Sequence, residues 1–142
     1  MLFAADIDTG ATAWVLVSTA LVAFMTPGLA FFYGGMLRSK NVLGMLMQNI
    51  FSMGLISVLW AAIGFSLAFG GNNAYIGNFD FLFLKDLGTI AELPGYTGDL
   101  GLAVPIMVFF AFQMMFAVIT PALITGATAD RLKFSAYAVL IG

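Results

Sequence analysis

Three long stretches of this 142-residue chain carry no charged side chain: Thr9 to Leu37, Asn41 to Phe79 and Leu100 to Ala129. Each exceeds the ~20 residues that a helix needs to cross the hydrocarbon core of a bilayer. Hydrophobic residues make up 62% of the chain and charged ones 8%, against roughly a quarter charged in soluble domains. That inventory cannot cover a water-facing surface. In hydrocarbon every backbone polar group must be paired internally, which leaves helices and closed barrels, and the alternating runs of ~10 residues typical of barrel strands are absent. The expected fold class is therefore all-α, a polytopic membrane helix bundle.

The run TPGLAFFYGGMLRSKNVLGM, Thr26 to Met45, marks the first turnaround, where one apolar segment ends, passes Arg38 and Lys40, and the next begins at once. Helices are expected at about Thr12–Leu37, Asn41–Phe69 and Gly101–Ala129, with Asn41 as an N-cap. At 1.5 Å per residue each runs to roughly 40 Å, so tilting or protrusion is expected. A fourth apolar run starts at Phe134 and reaches Gly142, rising only roughly 14 Å. An apolar helix that stops inside the bilayer leaves its last carbonyls unpaired, so the chain reads as part of a longer protein; a run lying flat at the interface is the alternative.

Arg38, Lys40, Arg131 and Lys133 flank ends that share one side of the membrane, and the excess of basic residues marks that side as cytoplasmic. The N-terminus and the Gly70–Leu100 segment then lie outside, with six of the seven acids and Lys85. The N-terminal Met1 to Ala5 is too short for a signal peptide. The outer segment reads as loop, with Pro94-Gly95 and a short amphipathic turn at Phe79 to Leu84. A solvated loop is the favoured reading, and mild enrichment of cations by its negative charge is the alternative.

Function classes narrow by what the chain lacks. Cysteine and histidine are absent, and no Asp, Glu, Lys, Arg or His lies within a complete span, so proton relays and ion-pair pathways have no groups here. No phosphate loop, nucleophile elbow or metal-ligand cluster is present, so neither catalysis nor a cofactor is expected, and no basic patch suggests nucleic acid. Small residues recur at Ser57, Ala61, Gly64 and Ala68 and at Ala122 and Gly126, which suits close helix packing. Pro27, with Gly28, Gly34 and Gly35, is read first as a packing kink and second as irregular backbone beside a pathway. In FFAFQMMFAVITPALI, Phe109, Phe112 and Phe116 share a helix face beside Gln113. The bare pattern favours a lipid-facing aromatic stripe; the sharper alternative turns Phe112 and Phe116 inward as a cation site or gate, with Gln113 bonding another helix.

Longer stretches then become recognisable. Ala13 to Asn49 (AWVLVSTALVAFMTPGLAFFYGGMLRSKNVLGMLMQN), LWAAIGFSLAFG, the Gly77–Phe79 loop and FQMMFAVITPALITGATADRLKF resemble, in order, the start of the ammonium transporter (Amt/Mep/Rh) family. The resemblance implies helices 1 to 3 and the start of helix 4 of an eleven-helix protomer, built from an inverted five-helix repeat and assembled as a homotrimer in the plasma or inner membrane. It implies ammonium or ammonia as substrate and a PII-type regulator on the cytoplasmic face. It also implies that Phe112 belongs to an outer aromatic substrate site and that Phe116 belongs to both that site and the pore gate, within F-Q-x-x-F. Met114 and Met115 replace smaller residues familiar in some members. The recruiting Trp, the second gate Phe, the buried Asp and the twin histidines fall on later helices. A structural subunit of a membrane complex and an ammonium sensor are the competing functions.

Overall fold

A computed structural model describes residues 7–71, 75–87, 104–129 and 131–142. All regular structure among them is helical: α1 (Thr9–Met36), α2 (Val42–Leu59), α3 (Phe65–Phe69), α4 (Ile106–Thr128) and α5 (Phe134–Ile141). Among the described residues three segments are long and apolar enough to cross a membrane, namely Thr9–Met36, Ser39–Phe69 and Ile106–Thr128. The chain is a multi-pass membrane helix bundle.

The helix ends follow local chemistry. α1 starts at Thr9 rather than Thr12 because the Asp8 carboxylate accepts the N–H groups of Gly10 (2.7 Å) and Ala11 (3.2 Å), which would otherwise lack partners. The cap expected at Asn41 sits earlier: Arg38 is the extended residue (φ −62°, ψ 140°), and a 3-10 turn, Ser39–Asn41, runs straight into α2. Gly101, the expected start of the third span, lies outside the described residues, as do Met1 to Ala5 and Pro94-Gly95. α4 begins at Ile106, where the Pro105 carbonyl accepts from the N–H groups of Val108 (2.9 Å) and Phe109 (3.1 Å). Pro105 also disfavours helical backbone in the residue before it, which holds Val104 outside the helix. α1 and α4 continue through Pro27 and Pro121, each of which removes one backbone donor.

Between α2 and α3 the second span widens into a π turn, Trp60–Gly64, closed by the Phe65 N–H on the Trp60 carbonyl. A wide turn rotates everything beyond it relative to an ideal helix. The stripe of small residues from Ser57 to Ala68 is therefore not one packing face: Ala61 packs on the core, Ala68 is exposed, and the buried pair is Phe65 and Ser66.

Two compact units are distinguished, Met1–Thr19 with Leu59–Met114, and Ala20–Val58 with Met115–Gly142. The core of the first is apolar and largely aromatic: Phe65, Phe81, Leu87, Ile106 and Phe110 are buried, with Trp60, Phe69 and Phe109 packed around them. The core of the second is more polar, with Thr26, Asn49, Ser52 and Thr125 fully buried beside Ala30, Met45, Ala122 and Tyr137.

Candidate functional site

The first unit is organised around Phe65, which is 0% exposed. Its ring meets Phe69 and Phe110 at centroid distances of 5.1 Å each, Trp60 at 6.0 Å and Phe81 at 6.2 Å. Phe69 in turn meets Phe109 edge-on at 5.1 Å. Phe109, counted in sequence as part of a lipid-facing stripe, thus has a ring partner inside the protein. The Trp60 indole N–H is buried without a hydrogen-bond partner among the described residues.

Residues 75–87 of the outer segment dock on this cluster through Phe81 and Leu87, although Tyr75, Phe79 and Phe83 stay exposed; the remainder of the segment expected as a solvated loop, beyond Leu87, lies outside the described residues. Gly77 N–H donates to the Leu67 carbonyl (2.7 Å) and Asn78 N–H to the Gly70 carbonyl (3.0 Å). The Ser66 hydroxyl donates to the Asn78 carbonyl (2.8 Å) and accepts from Phe81 N–H (3.0 Å). Asn78 also donates through its amide to Asp80, and its side-chain oxygen accepts from Asp80 N–H (3.1 Å). These bonds use carbonyls at the end of α3 that the helix leaves unpaired, and they carry Phe81 and Leu87 into the core. The turn expected over Phe79 to Leu84 is a 3-10 turn at Leu82–Leu84, with Phe83 at φ 52°.

In the second unit the Asn49 amide donates to the Met45 carbonyl (2.9 Å) and to the Thr125 hydroxyl (3.2 Å), joining α2 to α4. Thr125 donates to the Ala122 carbonyl (2.6 Å), Ser52 to the Asn49 carbonyl (2.7 Å), and the Tyr137 hydroxyl to the Pro121 carbonyl (3.3 Å). Gly126 lies so close to Tyr33 that an added Cβ would stand 2.7 Å from the ring, which explains why α4 is small there. Among the described residues, Asn49 and Thr125 make a side-chain-to-side-chain bond between helices. Gln113, assigned that role in sequence, is partly buried and has no hydrogen bond to another described residue. Polar residues at membrane depth were the available signal for Asn49 and Thr125.

Phe112 and Phe116 both lie on α4, four residues apart on successive turns. Phe112 is half-buried, and Phe116 is 45% exposed. The Phe116 carbonyl accepts from the Thr120 hydroxyl (2.8 Å), which keeps its bonding capacity within the helix. No charged side chain lies on α4, so the chemistry offered there is that of aromatic faces in an apolar span. Such faces attract a cation by roughly 0.5–2 kcal/mol.

The profile of the Ammonium Transporter Family matches residues 13–142. The chain belongs to the ammonium transporter family. Among similar proteins, the ammonium transporter of Mycobacterium tuberculosis (strain H37Rv) is 49% identical over 95% of this chain and 30% of its own length. The ammonium transporter of Bacillus subtilis (strain 168) is 41% identical over 90% of this chain and 30% of its own, and ammonium transporter 1 of Dictyostelium discoideum is 43% identical over 94% and 28%. The chain spans about 30% of the length of these ammonium transporters.

Proposed function

We propose that this chain forms the first three membrane helices and the start of the fourth of an eleven-helix ammonium transporter. The protein recruits ammonium at an outer aromatic site and passes ammonia through a hydrophobic pore completed by helices beyond residue 142. Phe112 and Phe116 contribute substrate-facing rings, and Phe116 also serves as part of the gate. The protein sits in the plasma or inner membrane as a homotrimer, with its N-terminus outside and a PII-type regulator binding at the cytoplasmic ends marked by Arg38, Lys40, Arg131 and Lys133.

The observation that carries this reading is the family match across residues 13–142, which includes the uncharged F-Q-x-x-F turn of α4. Energetics favour a divided task. Attraction of roughly 0.5–2 kcal/mol by an aromatic face is far below the idealised cost, of order 20 kcal/mol, of moving a small ion into a low-dielectric interior. Aromatic rings recruit the cation, and the membrane crossing requires a neutral-ammonia step with the proton handled separately.

Phe116→Ala in the full-length protein is expected to change ammonium or methylammonium flux by about 2- to 30-fold, the equivalent of one cation–π contact, while assembly is retained. Stopped-flow uptake into vesicles, paired with size-exclusion chromatography of the same preparation, reads both. Wild-type flux and selectivity in the variant would remove Phe116 from the gate.

A further inference from the structure

Within the second unit α4 presents Phe116, Thr120, Leu123 and Ala127 at i, i+4, i+7 and i+11, the spacing of a single helix face. All four are exposed, whereas Val118, Pro121, Ala122 and Thr125 are buried. The polar side chains divide in the same way. Thr125 donates to the Ala122 carbonyl and accepts from the Asn49 amide, so its bonding holds α4 to α2. Thr120 is the one polar side chain on the exposed face between Phe116 and Ala127. Further along that face, Leu123 and Ala127 line a cavity of about 400 Å³ whose other walls include Tyr33, Met36 and Met45.

We infer that Thr120 is a further substrate contact one turn beyond Phe116, its hydroxyl oxygen accepting a hydrogen bond from the N–H of ammonia or ammonium on the way to this cavity. A threonine hydroxyl has one proton and two lone pairs. The proton is engaged with the Phe116 carbonyl at 2.8 Å, which leaves the oxygen as an acceptor toward whatever passes along the exposed face. An N–H group that has given up water in an apolar span is costly until it finds such an acceptor. The Phe116 ring attracts the charged form of the substrate. Thr120 recognises the N–H and not the charge, so it serves the neutral form as well. This inference rests on the transporter reading and adds to it a contact on the cytoplasmic side of Phe116.

Saturation curves for labelled methylammonium uptake by the full-length protein in sealed vesicles separate this contact from a structural role. Thr120→Val keeps the shape of the side chain without its oxygen, and Thr120→Ala removes both. Each is expected to lower the maximal rate by about 2- to 10-fold, the equivalent of one neutral hydrogen bond, while KM stays within about twofold. Thr120→Ser retains the oxygen and is expected to keep the wild-type rate. Thr128→Val is the control, because the Thr128 hydroxyl also donates one turn back, to the Ile124 carbonyl (3.3 Å), from a position off the exposed face. It is expected to leave both parameters unchanged. A wild-type maximal rate in Thr120→Val or Thr120→Ala, a loss in Thr120→Ser as large as in Thr120→Val, or an equal loss in Thr128→Val overturns the assignment of Thr120, provided that the wild-type protein transports. Absence of uptake by the wild-type protein overturns the transporter reading itself, and this contact with it.

Discussion

Gly77→Ala is expected to undock the outer segment from the end of α3. A Cβ at this position would stand 2.5 Å from the Ser66 carbonyl and 2.7 Å from those of Leu67 and Gly70, all of them backbone oxygens that cannot swing aside. The clash falls on the residue whose N–H holds the Leu67 carbonyl, so relief requires the loop to lift and the neighbouring Asn78 bond to the Gly70 carbonyl to lengthen. Overpacking of this kind costs about 1–3 kcal/mol, equivalent to roughly a 5- to 150-fold rise in local opening. Hydrogen exchange is expected to accelerate by that factor at Gly77, Asn78 and Phe81, while the amides of α2 keep their protection. Unchanged exchange at those amides would show that the loop is held by other means.

Phe65→Ala is expected to be the most damaging single truncation in the first unit. The ring is completely buried and touches Trp60, Phe69, Phe81 and Phe110, so its removal leaves a cavity walled by other rings. In lipid, apolar packing between helices is not driven by escape from water, and the loss is chiefly one of van der Waals contact and of the aromatic edge contacts. Large-to-small changes of this type cost about 3–5 kcal/mol, a large part of the ~5–15 kcal/mol that holds a typical fold together. Phe79→Ala is the matched control because that ring is 64% exposed, and its effect is expected within about 0.5 kcal/mol. Unfolding in mixed detergent micelles compares the two. Equal losses would contradict the assignment of Phe65 as the centre of the cluster.

How much of this is legible in the sequence depends on which physical signal carries it. The spans are legible because charge is excluded from hydrocarbon: Asp8, Arg38 and Lys40 closely bracket the first span and the start of the second, whereas Asp80 falls well past the second span's end at Phe69. Asp8 is equally legible as a helix cap, and its carboxylate sets the start of α1 at Thr9, ahead of the expected Thr12. The π turn at Trp60–Gly64 leaves no compositional trace, so the small-residue stripe was extended across a point where the register changes. The docking of Gly77 and Asn78 on α3 depends on carbonyls at a helix end, which no side-chain pattern announces. On α4 neighbouring phenylalanines have different surroundings: Phe110 is core, Phe109 meets Phe69 edge-on, and Phe116 is nearly half exposed. Helical spacing groups residues by face but does not say what each face meets. The roles assigned to Phe112 and Phe116 come from the family resemblance, which is why they are proposals to be tested by flux.

The most direct test of the central proposal is substrate uptake by the full-length protein reconstituted into sealed vesicles, using labelled methylammonium with unlabelled ammonium as competitor. The transporter reading predicts uptake above that of protein-free vesicles and suppression of that uptake by ammonium. Folded protein that binds ammonium without uptake above the protein-free level, or uptake indifferent to ammonium, would contradict it.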